Sequence, residues 1–358
     1  MEKIYLVGGA VRDILLGMTP KDKDYVVVGS TPEAMMAKGF SQVGADFPVF
    51  LHPETGEEYA LARIERKVGV GYNGFACEFD SSVTLEQDLQ RRDLTINSMA
   101  MDQDGNVIDP YGGRKDLKNG VLRHTSDAFA EDPVRVLRIA RFAARYKFTV
   151  HQSTMDLLRQ IVSSEDFDHL TAERVWKEFE KGLTEKHPEI MYQVLVEAGV
   201  DRKLHEFFGN ADIHSYAALS KAAQNNYPLS TRFSIMGSGF VNADQYHNWR
   251  IPANCSAMNS LVHSNYHAML NYDSLTPEEK IQLFNRMDAF RREDRMIEVI
   301  ACTNLITDAY GEALPNIIED MYKASEVDQA SIANATSDKS KIKDAIFSAR
   351  VKALTLIS

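Results

Sequence analysis

Two aspartates one residue apart, Asp22 and Asp24, stand just before the apolar run Tyr25-Val26-Val27-Val28, shortly after Gly8-Gly9-Ala10-Val11-Arg12-Asp13. In an extended strand alternate side chains share a face, so Asp22 and Asp24 are expected to point together and Lys23 away. A glycine turn that opens a short helix leaves backbone N–H groups free for an anion. Paired carboxylates beside such a turn can hold a divalent cation against a triphosphate. The chemistry these residues suit is nucleotidyl transfer.

Three further groups extend this set. Glu58 opens the strand pattern Glu58-Tyr59-Ala60-Leu61-Ala62-Arg63, and is either a third carboxylate of the cluster or an edge-strand charge. Arg91-Arg92-Asp93 offers fork-shaped donors for phosphate and an acceptor for ribose hydroxyls, or is an ordinary helix C-terminus. In Glu131-Asp132-Pro133-Val134-Arg135-Val136-Leu137-Arg138-Ile139-Ala140-Arg141-Phe142 an acidic pair precedes a helix with proline expected at its start. On that helix Arg135, Arg138, Arg141 and Arg145 fall within an arc of about 120°. Such a stripe is either a solvated side or a wall that meets an anion. An Asp one turn from an Arg also presents an acceptor and donors like the edge of a complementary base.

The elements that must position these groups change character along the chain. Up to about residue 125 the pattern is mixed: strands at Lys3–Val7, Pro48–His52 and Glu57–Arg63, helices at Gly9–Leu16 and after the Ser30-Thr31-Pro32-Glu33 cap, and a hairpin about Asp104-Gly105. Glu65–Phe79 holds glycines at 69, 71 and 74, which suits a loop that closes over a substrate or a long surface connection. From Asp127 strand signals nearly vanish, and helices are expected at Pro133–Tyr146, Thr171–Leu183, Pro188–Ala198, Ser215–Asn225, Pro277–Arg286, Arg291–Ala309 and Lys339–Leu356. Residues 226–256 read as the least regular stretch. The fold class is α+β: an α/β head (1–126), a helical neck (127–200), and a helical body and tail (201–358).

Composition is that of a soluble globular chain of 358 residues. No apolar run approaches the roughly 20 residues that span a bilayer, and no signal-peptide pattern opens the sequence, so a cytoplasmic location is expected. Cys77, Cys255 and Cys302 are far apart and odd in number and form neither a zinc pattern nor a disulfide framework, so they read as buried or bystander thiols. The net charge of −11 weighs against a nucleic-acid partner, because phosphate contacts need basic surface. It is spread unevenly: residues 1–150 hold 19 basic and 22 acidic side chains, with a local basic face around Arg135.

The segments LVGGAVRDILLG…KDKDYVVVG, RRDLTINSMAMD, DPYGGRKDL and EDPVRVLRIARFAAR, in this order, closely resemble those of the bacterial class II tRNA nucleotidyltransferases, the CCA-adding enzymes. The resemblance is near continuous over residues 3–200. It implies a polymerase β-like nucleotidyltransferase head on an all-helical neck, body and tail. It also implies template-independent addition of CCA to the 3′ end of tRNA from CTP and ATP, with Mg²⁺ as cofactor. Residue by residue, Asp22 and Asp24 match the magnesium ligands. Gly9, Arg12, Arg92, Arg138 and Arg141 match contacts to the incoming nucleotide. Asp93 matches a ribose-recognising position, and Asp132 and Arg135 match the pair that reads the base edge. Glu65–Asp80 resembles the loop used in switching from C to A addition.

One departure stands out. In the subgroup with the most similar head, the helical body carries a His-Asp phosphohydrolase doublet. Aligned through Arg232-Phe233, this chain has Ser238 and Gly239 there, neither of which can serve as the metal-binding doublet, so no phosphohydrolase activity is expected. Bacterial poly(A) polymerases share the head but usually carry extra N-terminal sequence and a basic C-terminal extension. The rival functions are therefore poly(A) addition, partial (CC- or A-) addition, and an inactive RNA-binding protein that kept only the fold.

Overall fold

The computed structural model describes residues 2–43, 49–67, 75–78 and 81–355. The chain divides into two compact units, Met1–Lys203 and Leu204–Ser358. The expected head and neck therefore lie in one unit.

The first unit opens with β1 (Lys3–Val7), α1 (Gly9–Leu15), β2 (Asp24–Val28), α2 (Pro32–Ala37), β3 (Ser41–Val43), β4 (Val49–Leu51) and β5 (Glu58–Leu61). It continues with the hairpin β6 (Ile64–Lys67) and β7 (Phe75–Glu78), then α3 (Leu85–Gln90), β8 (Ala100–Met101), β9 (Val107–Ile108), α4 (Gly113–Asn119) and β10 (Val121–Leu122). One mixed sheet runs in the order β3-β4-β5-β2-β1-β8-β9. Its register sets two neighbours. β1 and β2 are antiparallel with Val7 opposite Asp24, which places that carboxylate beside the turn that follows β1. β2 and β5 are parallel with Asp24 opposite Glu58.

Strand alternation decides which face Asp24 shares. Val26 packs with Val7, Leu85, Leu89 and Ala100, whereas Val27 packs on the other face with Met35, Phe50 and Leu61. Two residues before Val26, Asp24 thus belongs to the face covered by α3. The alternation does not extend to Asp22. The strand begins at Asp24, and Asp22 lies in a bend before it, so the expectation that both sit on one strand is corrected.

The helical part of this unit comprises α5 (Arg135–Tyr146), β11 (Thr149–Val150), α6 (Gln152–Ser163), α7 (Glu165–Asp168), α8 (Ala172–Thr184) and α9 (Pro188–Glu197). α5 begins two residues later than expected, because Pro133 and Val134 form a turn ahead of it, and it ends where Lys147 adopts a left-handed conformation. Its apolar face, with Val136, Leu137, Ala140 and Ala143 buried, packs on α8 and α9. One strand survives here: β11 pairs in parallel with β10.

The second unit is helical: α10 (Ile213–Gln224), α11 (Leu229–Met236), α12 (Ala243–Asn248), α13 (Ala253–Leu270), α14 (Pro277–Arg286), α15 (Glu293–Ala309), α16 (Ile317–Ser325), α17 (Gln329–Ala335) and α18 (Ile342–Thr355). Residues 226–256, expected to be irregular, contain α11, α12 and the start of α13. An Asn242–Gln245 capping box starts α12. α13 buries Asn259 and Asn265 among its apolar residues, which masks its period. Ser238 and Gly239 form a packed bend: Ser238 Oγ accepts from Asn210 N–H at 3.0 Å, and a Cβ on Gly239 would come within 2.8 Å of the Glu206 backbone. Among the described residues no helix is long and apolar enough to cross a membrane.

Candidate active site

The turn after β1 needs its glycines. Gly8 has φ +68°, and a Cβ there would lie 2.8 Å from Arg92 Nη1; a Cβ on Gly9 would lie 3.3 Å from Arg12 Nη2. The missing side chains thus leave room for two guanidinium groups. Arg12 is buried. It donates from Nη1 to Asn97 Oδ1 at 2.6 Å and from Nε to Asp13 Oδ1 at 2.9 Å, and its guanidinium lies 5.1 Å from the Tyr146 ring centre. Tyr146 donates its hydroxyl to Asp13 at 3.2 Å, and burial pushes its pKa up to about 12.

Asp24 sits at the edge of the same space. Burial raises its pKa, Arg92 opposes that rise, and the charge of Asp22 adds to it, so the two carboxylates feel each other although only one is in the strand. Glu58 is the in-register neighbour of Asp24 and, like it, keeps an exposed side chain. Among the described residues no three His, Cys, Asp or Glu side chains are gathered closely enough to hold a metal ion. The donors on hand are therefore two carboxylates, one partly desolvated and lacking a full counter-charge. These are hard oxygen ligands, which suit a hard divalent cation.

α3 fixes the arginine fork. A Thr84–Gln87 capping box starts this helix, and Asp88, fully buried one turn before its end, accepts from both following arginines. Arg91 reaches its Oδ1 at 2.9 Å and Arg92 its Oδ2 at 3.1 Å. Burial alone would raise the Asp88 pKa, but the two guanidiniums hold it below the usual carboxylate range. Asp93 turns the other way. Its Oδ1 accepts from Leu94 N–H and Asn97 Nδ2, both at 2.9 Å, and its Oδ2 accepts from Arg138 Nε and Nη2 at 3.2 and 2.9 Å. Burial opposes ionisation here too, yet Arg138 and the hydrogen bonds from Asn97 outweigh it, and the pKa falls to about 2.

The arginine stripe of α5 is not a solvated side. Arg141 is buried and donates to Glu178 Oε2 at 2.6 Å, and Arg138 lies between Asp93 and Glu178. Arg135 donates to the carbonyls of Ala128 and Arg91 at 2.8 and 3.1 Å. Asp132 accepts from Val134 N–H at 3.2 Å and from Arg174 Nη2 at 2.9 Å on Oδ1 and 2.7 Å on Oδ2.

These groups line one cavity of about 1140 Å³ in the first unit. It brings together Gly9, Arg12, Asp24, Arg92, Asp93, Asp132, Arg135, Arg138 and Arg141; Asp22 and Glu58 lie outside its lining. Sequence reading missed Asp88, Asn97, Tyr146, Arg174 and Glu178. Asp88 had a signal, since it precedes both arginines by one helical turn. Arg174 and Glu178 share a face of α8, but their partners are some 40 residues away and leave no local trace. Of the glycine-rich stretch, residues 68–74 and 79–80 lie outside the described residues.

Residues 4–123 match the family model of the poly A polymerase head domain, and residues 147–208 that of the probable RNA and SrmB-binding site of polymerase A. The chain is 41% identical to a multifunctional CCA protein of Aromatoleum aromaticum over 404 aligned residues, covering 98% of each. In fold it resembles the Thermotoga maritima CCA-adding enzyme complexed with tRNA (TM-score 0.70, 21% identity, 100% of this chain and 88% of that one). It also resembles the Bacillus stearothermophilus CCA-adding enzyme in complex with CTP (TM-score 0.63, 22% identity, 99% of this chain and 89% of that one).

Proposed function

This chain belongs to the CCA-adding family of tRNA nucleotidyltransferases, and from that premise we propose that it adds C, C and A to the 3′ end of tRNA from CTP and ATP without a template, releasing pyrophosphate. One observation carries the reading. The β1–β2 register sets the Asp24 carboxylate against the Gly8-Gly9 turn, at the edge of a cavity walled by guanidinium groups.

Asp22 and Asp24 would hold a divalent cation, with magnesium the natural choice for an all-oxygen donor set that also meets phosphate. When bound, such a cation lowers the pKa of the terminal RNA hydroxyl and neutralises charge on the departing pyrophosphate. Glu58, next to Asp24 in the sheet, would add negative charge at the rim rather than a third ligand. Gly9 lets the phosphates approach the backbone at the start of α1. Arg12 and Arg92, each already fixed by a carboxylate, present remaining N–H donors to the triphosphate. Arg138 and Arg141 line the path along α5. Asp93, whose oxygens already accept from Leu94, Asn97 and Arg138, acts on the ribose side by orienting Arg138 and Asn97.

Asp132 and Arg135 read the base. Cytosine and adenine both present an exocyclic amino donor beside an unprotonated ring nitrogen, and a carboxylate next to a guanidinium complements that edge. Uracil and guanine reverse the pattern. The helical remainder holds the acceptor region of tRNA by shape and backbone contacts. A merely RNA-binding role is disfavoured by the same site, because paired carboxylates facing RNA would repel phosphate.

The decisive assay incubates the purified protein with tRNA lacking its 3′ end, with CTP and ATP separately and together, and sequences the products. Complete CCA ends supported by both nucleotides are expected. Tails of A alone would point to poly(A) addition, CC-only or A-only products to partial addition, and no pyrophosphate release to an inactive binding protein.

A further inference from the structure

We propose that Arg174 determines nucleotide choice by keeping the acidic and basic members of the base-reading pair from neutralising each other; this rests on the reading of Asp132 and Arg135 given above. Three residues apart at the start of a helix, an Asp and an Arg are at the spacing where opposite charges meet. Were these two to pair, each would satisfy the other and offer little to a base. The structure holds them apart. Only their backbones interact, Arg135 N–H donating to the Asp132 carbonyl at 3.0 Å. The Asp132 carboxylate is clasped by Arg174 Nη2, at 2.9 Å on Oδ1 and 2.7 Å on Oδ2. The Arg135 guanidinium is drawn to two main-chain carbonyls instead, those of Ala128 and Arg91.

Valence shows what this arrangement leaves. A carboxylate offers about four lone-pair directions. Val134 N–H and Arg174 occupy both on Oδ1, and Arg174 occupies one on Oδ2, so Oδ2 keeps acceptor capacity. Arg135 is anchored by neutral carbonyls, which leave its charge intact and further N–H donors of the fork unused. A single acceptor thus stands beside a group of donors, the set complementary to an amino-bearing base. Arg174 is itself well placed to hold this spacing. One turn further along α8, Glu178 is tied to Arg141 and Arg138 of α5, so the helix carrying the clasp is locked to the helix carrying Arg135. Asp132, Arg135, Arg174 and Glu178 all line the one cavity. Arg174 is a positioning residue in this scheme, acting through Asp132.

The test measures kcat/KM for CTP, ATP, UTP and GTP on tRNA primers ending at each stage of addition, in Arg174→Ala, Arg174→Gln, Arg174→Lys, Asp132→Ala and the Arg174→Ala/Asp132→Ala double variant. Discrimination of CTP over UTP should fall roughly tenfold or more in Arg174→Ala, the size expected when one member of a base-reading hydrogen-bond set is lost. Arg174→Lys should restore part of it by returning the charge. The double variant should discriminate no worse than Asp132→Ala, since both changes act through one carboxylate. Should Arg174→Ala fail to fold, Arg174→Gln, which keeps length and amide donors but no charge, carries the same expectation. An equal fall for all four nucleotides in these variants overturns the proposal and leaves Arg174 a structural residue. If Asp132→Ala relaxes selectivity while Arg174→Ala and Arg174→Gln do not, this inference fails alone. If Asp132→Ala leaves selectivity intact, the base-reading assignment fails and takes this inference with it.

Discussion

Asp93 and Arg138, from the loop after α3 and from α5, meet in a forked ion pair in which Arg138 Nε and Nη2 both donate to Asp93 Oδ2, at 3.2 and 2.9 Å. The pair is the middle of a longer run. Asn97 accepts from Arg12 and donates to Asp93, and beyond Arg138 the Glu178 carboxylate joins Arg141. Guanidiniums and their acceptors therefore alternate along the cavity wall from α1 to α8. This solves the problem posed by a cluster of like charges. Arg12, Arg92, Arg138 and Arg141 each meet a carboxylate, and Arg135 is held by main-chain carbonyls, so these side chains are oriented before any anion arrives and little ordering remains for binding to accomplish.

Asp24 at the start of β2 and Asp22 in the bend before it supply the most direct check on the catalytic reading. Asp24→Ala or Asp22→Ala should abolish incorporation of labelled CMP and AMP while circular dichroism and melting temperature stay near wild type. Asp24 is partly desolvated and short of a counter-charge, so its removal should not cost stability. Full activity in both variants would dismiss the metal assignment.

Asp88 touches no nucleotide in this scheme, yet it fixes Arg91 and Arg92 together. Asp88→Ala leaves two guanidiniums without their shared acceptor. A loss of about 2–3 kcal/mol is expected in urea unfolding, below the cost of breaking a fully buried pair because both arginines keep some solvent contact. The KM for both nucleotides should rise, through the misplacement of Arg92.

Acid titration should report on the Asp93–Arg138 pair. The Asp93 pKa is depressed to about 2, so its ionised form stabilises the fold above the unfolded-state value and that contribution is lost as pH falls toward 2. Asp93→Asn keeps the size and loses the charge. The stability gap between wild type and variant should be largest near neutral pH and should close between about pH 4 and pH 2. A gap independent of pH would assign the effect to packing instead.

Gly113 offers a test of how α4 supports the site. A Cβ there would lie 2.2 Å from the Thr95 carbonyl oxygen, in the turn that carries Asn97. Gly113→Ala must push that backbone away. It should lower the melting temperature and raise the KM for nucleotide, because Asn97 bridges Arg12 and Asp93. Gly105→Ala, at an exposed turn with nothing near the added carbon, is a control in which only the strain of φ +84° acts and the KM should stay unchanged.

The local signals in the sequence were strong where a short segment makes its own structure. β1 and α14 occupy the expected spans, Thr31-Pro32 starts α2, and Asp104-Gly105 makes the β8–β9 turn, because caps, turns and strand alternation depend on neighbouring residues. The cavity residues named from sequence are likewise those whose type and spacing repeat a recognisable motif. The reading failed where tertiary contacts decide, through buried polar residues or through strand pairing. α13 hides its period behind Asn259 and Asn265, and Asp22 fell outside a strand whose start is set by pairing with β1.

The chain's order of residues alone settled which side chains carry charge, where the glycine turn lies, and that four arginines share one side of α5. Only the folded molecule decided who meets whom: Asp132 with Arg174 rather than Arg135, both arginines of the fork with Asp88, and Glu178 with Arg138 and Arg141. The reason is one of range. Helix faces and strand alternation follow from covalent geometry over a few residues, but an ion pair spanning some 40 positions forms only when packing of α5 on α8 and the register of the sheet bring the two ends together.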